Sequence, residues 1–180
     1  GGMVGTWNIN GGFAPNFAAF LYVQGSLSIN GNSGSSSSPI YLTIAASNAV
    51  KFNGGGYIRP YAAYPNLCAI YSDNPVCTGQ VPNPGLVGLS IVSGSTSGGD
   101  QGSGIQFNGN SDVYGSIASL GDITINGAST LHGRIVTNAN LKMNGKVGTM
   151  VNGAQNANFG GGTPKNQNPP IVAIKWLRWM

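Results

Sequence analysis

The chain carries four carboxylates, Asp73, Asp100, Asp112 and Asp122, with no Glu, and a single imidazole, His132. Glycoside hydrolysis needs two cooperating carboxylates across the bond that breaks. Asp112 and Asp122 fall at different points of the repeat described below, so nothing in the sequence forces them to meet. A lone histidine can serve as general base where a substrate hydroxyl is held beside it. One repeat earlier the position equivalent to His132 is Tyr114, which reads as an ordinary outward or corner site. No phosphate-cradling loop is present, and the Gly-rich stretches lack the strand-to-helix setting of a nucleotide fingerprint. Cys68 and Cys77 have no second pair and no histidine nearby, so they do not make a zinc site. The expectation is a non-enzymatic protein with no catalytic residue, metal or cofactor.

Binding chemistry is better represented. Eight basic and four acidic residues give a net charge of +4 without any dense basic run. Tyr114, His132, Arg134, Lys142 and Lys146 lie in adjacent repeats, and basic side chains interleaved with aromatics can track DNA or another polyanion such as an acidic polysaccharide. Tyr57, Tyr61, Tyr64 and Tyr71 surround the cysteine segment, either as an adhesive surface or as packing over the body of the protein. A Cys68–Cys77 disulfide would close a short loop, worth roughly 2–3 kcal/mol in the chain-entropy picture, and would place the chain in an oxidising, extracytoplasmic compartment. The alternative is two reduced, buried thiols.

These residues hang on six copies of one phrase: apolar, polar, apolar, Asn, Gly. The copies are Trp7–Gly11, Leu27–Gly31, Val50–Gly54, Ile105–Gly109, Ile123–Gly127 and Leu141–Gly145. Alternation of period two places the apolar pair of each copy on one face and the middle residue on the other. The middle residues are Asn8, Ser28, Lys51, Gln106, Thr124 and Lys142, all polar, so that face is expected to meet water. The flanking apolar residues are the expected core.

Asn-Gly on its own suggests a hairpin tip, because both residues tolerate positive φ. The spacing argues otherwise. The last three asparagines stand 18 and 18 residues apart, and Val113–Ile117 and Leu131–Ile135 repeat in phase with them. A fixed short period of strand-like phrases predicts stacked repeats, with Asn-Gly at a corner followed by a second strand with a central glycine. In such a stack Asn10, Asn30, Asn53, Asn108, Asn126 and Asn144 would lie above one another and form a structural amide ladder. The fold expected is all-β, a single-domain parallel β-solenoid (β-helix) with rungs of about 18 residues. An antiparallel sandwich with hairpin tips is the alternative, and handedness is left open.

Organisation follows from interruptions of the period. Rungs are expected over about 5–59 and 86–153, with a disulfide-closed loop insertion at about 60–85, a Gly/Pro/Asn-rich linker at 154–170 and an apolar strand or cap at 171–180. That tail, with Ile171, Ile174, Trp176 and Trp179, either flanks its own solenoid or pairs with a neighbouring subunit, because open strand edges must be covered. No segment is long and apolar enough to span a bilayer. Only 7% of residues are charged against 41% hydrophobic, and 30 are glycine. Disorder usually pairs low hydrophobicity with high net charge, so this composition reads as an ordered, turn-rich β protein with an amide and hydroxyl surface.

The segments Gly109–Ile117 and Gly121–Gly127, followed by Leu131-His132-Gly133, resemble the β-solenoid ectodomains of bacterial pilus-assembly and minor-pilin-like proteins. The likeness is good over residues 104–153, loose over 5–59 and absent in the cysteine loop. It implies an extracellular or cell-surface structural or adhesive subunit of a pilus or filament that self-associates or binds other filament subunits. The runner-up expectation is a ligand-binding module such as a pilus-associated DNA or polyanion receptor. A polysaccharide-acting enzyme or acyltransferase ranks third.

Overall fold

The computed structural model describes residues 5–79, 88–95 and 104–145. The first strands are β1 (Gly5–Asn10), β2 (Ala18–Val23), β3 (Gly25–Asn30), β4 (Ile40–Ala46), β5 (Val50–Phe52) and β6 (Gly56–Arg59). A 3-10 turn (Tyr61–Ala63) and two single-turn helices, α1 (Leu67–Ile70) and α2 (Pro75–Thr78), interrupt the series. It resumes with β7 (Leu89–Ser93), β8 (Ile105–Phe107), β9 (Ser111–Tyr114), β10 (Ser116–Ser119), β11 (Ile123–Ile125), β12 (Thr130–His132), β13 (Ile135–Thr137) and β14 (Leu141–Met143). The protein is thus mostly parallel β-sheet, with few helices and curled sheets.

One sheet has the order β1-β3-β5-β8-β11-β14 and contains all six copies of the phrase. Every neighbour pair in it is parallel and in register, so Trp7, Leu27, Val50, Ile105, Ile123 and Leu141 form one column. Ile9, Ile29, Phe52, Phe107, Ile125 and Met143 form a second. Phe52 and Phe107 stack with centroids 5.2 Å apart. The eight-stranded sheet has the order β12-β9-β6-β4-β7-β10-β13, with β2 on β4. The start of β4 pairs with β6 and its end pairs with β7, so one unbroken strand spans two shorter ladders. Its Ile40, Leu42, Ile44 and Ala46 join the core formed by the phrase residues.

Three expectations need correction. The second strand with a central glycine is two strands: Gly115, at φ +97°, separates β9 from β10, and Gly133 separates β12 from β13. Thr124 is buried although it is a middle residue of the phrase, because the longer Gln106 and Lys142 flank it on the neighbouring strands. Leu141 and Met143 are exposed, since among the described residues β14 ends its sheet with β11 as its one partner. Lys146, the linker and the tail with Ile171, Ile174, Trp176 and Trp179 lie outside the described residues.

The glycine of the phrase has a reason beyond positive φ. Positive φ occurs at Gly11 and Gly31, at +92° and +128°. At Gly54, Gly109, Gly127 and Gly145 the demand is close approach, because a Cβ on each would strike the carbonyl of the phrase glycine one strand earlier. Backbone on both sides leaves no flexible atom to yield. Gly127→Ala is therefore expected to cost about 1–3 kcal/mol, the range for overpacking, seen as a lower urea midpoint. Ala128→Gly, at an exposed site next door, serves as the control.

Candidate functional site

The corner after the phrase is built by side chains that reach one strand along the sheet. Asn30 Nδ2 donates to Asn10 Oδ1 at 3.0 Å, Asn53 to Asn30 at 2.7 Å and Asn108 to Asn53 at 2.7 Å. Asn126 continues to Asn108 at 2.7 Å and Asn144 to Asn126 at 3.0 Å. All six asparagines therefore share one ladder with a single donor-to-acceptor direction. A second set of amides satisfies the turn itself: Gly55 N–H donates to Asn32 Oδ1 at 2.9 Å and Ala128 N–H to Asn110 Oδ1 at 3.1 Å. Corner backbone groups that would otherwise lack partners are thus paired within the protein.

The outward side of β6, β9 and β12 gathers five titratable groups, Tyr57, Arg59, Asp112, Tyr114 and His132. Tyr57, Asp112 and Thr130 occupy the position four residues after their phrase asparagine. Arg59, Tyr114 and His132 occupy the position six after it. Ile58, Val113 and Leu131 between them point into the core. Tyr114 and His132 lie face to face, with centroids 4.1 Å apart and planes 5° apart. The Arg59 guanidinium sits over the Tyr114 ring at 5.1 Å. The Tyr57 and Tyr114 hydroxyls are 2.7 Å apart. That hydrogen bond, then burial and the nearby Tyr57 and Asp112 charges, raise the Tyr114 pKa above the ordinary phenol value, while Arg59 opposes the shift. Tyr114 thus has His132 stacked on it and Arg59 over its ring, while Tyr57 stands tilted at 41° with its centroid 5.3 Å away.

Of the expected polyanion set, Tyr114 and His132 come together. Arg134 is exposed in the bend between β12 and β13. Lys142 is on β14 in the other sheet, where its Nζ lies 2.5 Å from Asp122 Oδ2. Asp122 also accepts from the backbone N–H and the side chain of Asn140, at 3.0 and 3.1 Å. The Lys142 hydrogen bond first, then the two from Asn140, lower the Asp122 pKa to about 2. Tyr57 and Arg59 were absent from the expected set, although their offset from Asn53 matches that of Asp112 and Tyr114 from Asn108. Counting from the asparagine would have found them.

The cysteine segment is tied to this face. Cys68 and Cys77 form the disulfide, between α1 and α2. Asn74 caps α2 by accepting from Val76 N–H at 3.0 Å and donates to the Tyr61 hydroxyl at 2.8 Å. Tyr61 N–H donates to Thr43 Oγ1 at 3.1 Å, and Tyr64 meets Tyr41 edge-on at 5.2 Å. Tyr41, Thr43 and Ala45 face away from the core yet are buried. The insertion covers the outer side of β4. Of the four tyrosines, Tyr61 and Tyr64 serve that packing, Tyr57 bonds to Tyr114 through its hydroxyl, and Tyr71 is exposed.

Among the described residues no helix is long and apolar enough to cross a membrane. Comparison with protein families, curated proteins and solved structures finds no match to this chain. None links it to pilus-assembly or minor-pilin proteins.

A depressed carboxyl pKa means that the Asp122 contacts are fully present above the unfolded value, near 4, and fade as pH falls through about 2. The Asp122 carboxyl carbon, followed by NMR, is expected to titrate with a midpoint near 2. In Lys142→Met that midpoint moves up toward the ordinary value.

Proposed function

We propose that the chain is a parallel β-solenoid that serves as a non-enzymatic structural subunit of an extracellular filament. The observation that carries this reading is the in-register repetition of Asn, Gly and two apolar columns through six consecutive phrase strands. Each turn of chain then buries its apolar pair only by lying on the next, as stacked repeats do. The division of the larger sheet, on either side of β4, into a β6-β9-β12 ladder and a β7-β10-β13 ladder supports this reading, in which the two ladders are the other two sides of a rung. The disulfide supports an oxidising location.

The chemistry-bearing groups support a structural role because they engage one another: Asp122 with Lys142, Tyr114 with Tyr57, and His132 against Tyr114. A polyanion receptor has less support, since Lys142 is held by Asp122 on a different sheet from His132. The test is electron microscopy of negatively stained protein over a hundredfold concentration range. Ordered fibres or stacked rods that lengthen with concentration are expected. Single particles of one size throughout would overturn the filament role.

A further inference from the structure

The two ends of the phrase sheet match each other. β1 and β14 are its terminal strands, each with one partner among the described residues. Every ladder bond runs from Nδ2 of the later asparagine to Oδ1 of the earlier one. Asn10 therefore ends the ladder with its Nδ2 unused in it, and Asn144 ends it with its Oδ1 unused. A donor at one end and an acceptor at the other make the ladder directional.

We propose that β14 of one copy pairs in parallel with β1 of the next, in the register Leu141 on Trp7, Lys142 on Asn8, Met143 on Ile9 and Asn144 on Asn10. The inference rests on the structural reading above and names its partner, a second copy of this chain. Leu141 and Met143 are exposed apolar residues at one end, and Trp7 and Ile9 are half-buried apolar residues at the other. The junction would extend both apolar columns without a break. Exposed edges are normally blunted by charge or proline, and β1, Gly-Thr-Trp-Asn-Ile-Asn, has neither. Lys142 is neutralised by Asp122, so no unbalanced charge opposes the contact.

The second sheet can follow the same step. Leu21, Ile44, Ile91, Ile117 and Ile135 form one column across β2, β4, β7, β10 and β13. Ile135 at one end would meet Leu21 of the next copy. The unbroken β2 would span β12 and β13 as β4 already spans β6 and β7. Such a head-to-tail contact is heterologous and does not close, so it propagates.

The test uses the full chain with its native disulfide intact. Asn8→Cys and Lys142→Cys proteins are mixed, oxidised mildly and mapped by mass spectrometry. Links between positions 8 and 142 are expected in at least tenfold excess over 8–8 and 142–142 links. In parallel, Asn8→Lys is expected to weaken assembly about two- to fivefold by setting a second cation beside the Lys142–Asp122 pair of the preceding copy, while Asn8→Glu at the same exposed position preserves or strengthens it. Fibres that form without an 8–142 link, or that respond alike to both charges, would overturn this junction and leave the structural reading standing. Monomers at every concentration, as when the segment 171–180 of the same chain covers β1, would overturn both.

Discussion

A parallel, in-register stack sets like upon like. Each side chain of a strand meets its own equivalent on the next strand, at a spacing of about 4.8 Å. Only residues that pair well with themselves can hold such a position. Asparagine does so because one amide both donates and accepts. Apolar residues do so by packing, as Phe52 and Phe107 show. Glycine does so by letting carbonyl and Cα approach where any Cβ would collide. Charged residues fail, since like charges opposite one another repel. The 7% charged content follows from that rule. No described register pair sets one charge on another: Lys51 lies between Ser28 and Gln106, and Asp112 between Tyr57 and Thr130.

The same rule explains how much of the fold was legible. The phrase states its own register, so the column of asparagines, the two apolar columns and the parallel order could be read from spacing alone. By length the 55 residues from Asn53 to Asn108 would hold about three rungs, yet β5 and β8 pair directly, so the adjacency of the third and fourth phrases was not legible from spacing. Where the repeat varies, reading was poorer. Whether a glycine bends the chain depends on what lies beside it. Gly115 breaks a strand next to Pro60 and Ser90, whereas β4 runs straight through the equivalent region with no glycine at all. The burial of Thr124 depended on the lengths of its neighbours on adjacent strands and not on its own place in the phrase. The exposed Leu141 and Met143 obey the pattern but stand at the end of the sheet.

The candidate site was half visible. Tyr114 and His132 were paired by the period, but Arg134 and Lys142 were joined to them by nearness in sequence, which the strand order does not respect. Each phrase strand from β1 to β11 is followed by strands of the other sheet, so residues ten apart can stand on different sides, while residues 18 or 55 apart touch, as Asn126 and Asn53 do with Asn108. The insertion shows the converse. Its tyrosines looked like an independent surface, yet Tyr61 and Tyr64 are spent on covering β4, tying the disulfide loop to the body of the fold.

The central claim is that one continuous amide ladder joins all six phrase strands and holds their register. Its most direct test is exchange of the Asn side-chain amide protons, measured by NMR in the parent protein and in Asn108→Ala. Each ladder bond is worth about 0.5–1.5 kcal/mol net, so removing Asn108 should selectively speed exchange at Asn126, whose Nδ2 loses its acceptor. Asn30, two steps away, should stay as protected as before. Uniform exchange rates across the six amides in the parent protein, or no change at Asn126 in the variant, would contradict the account.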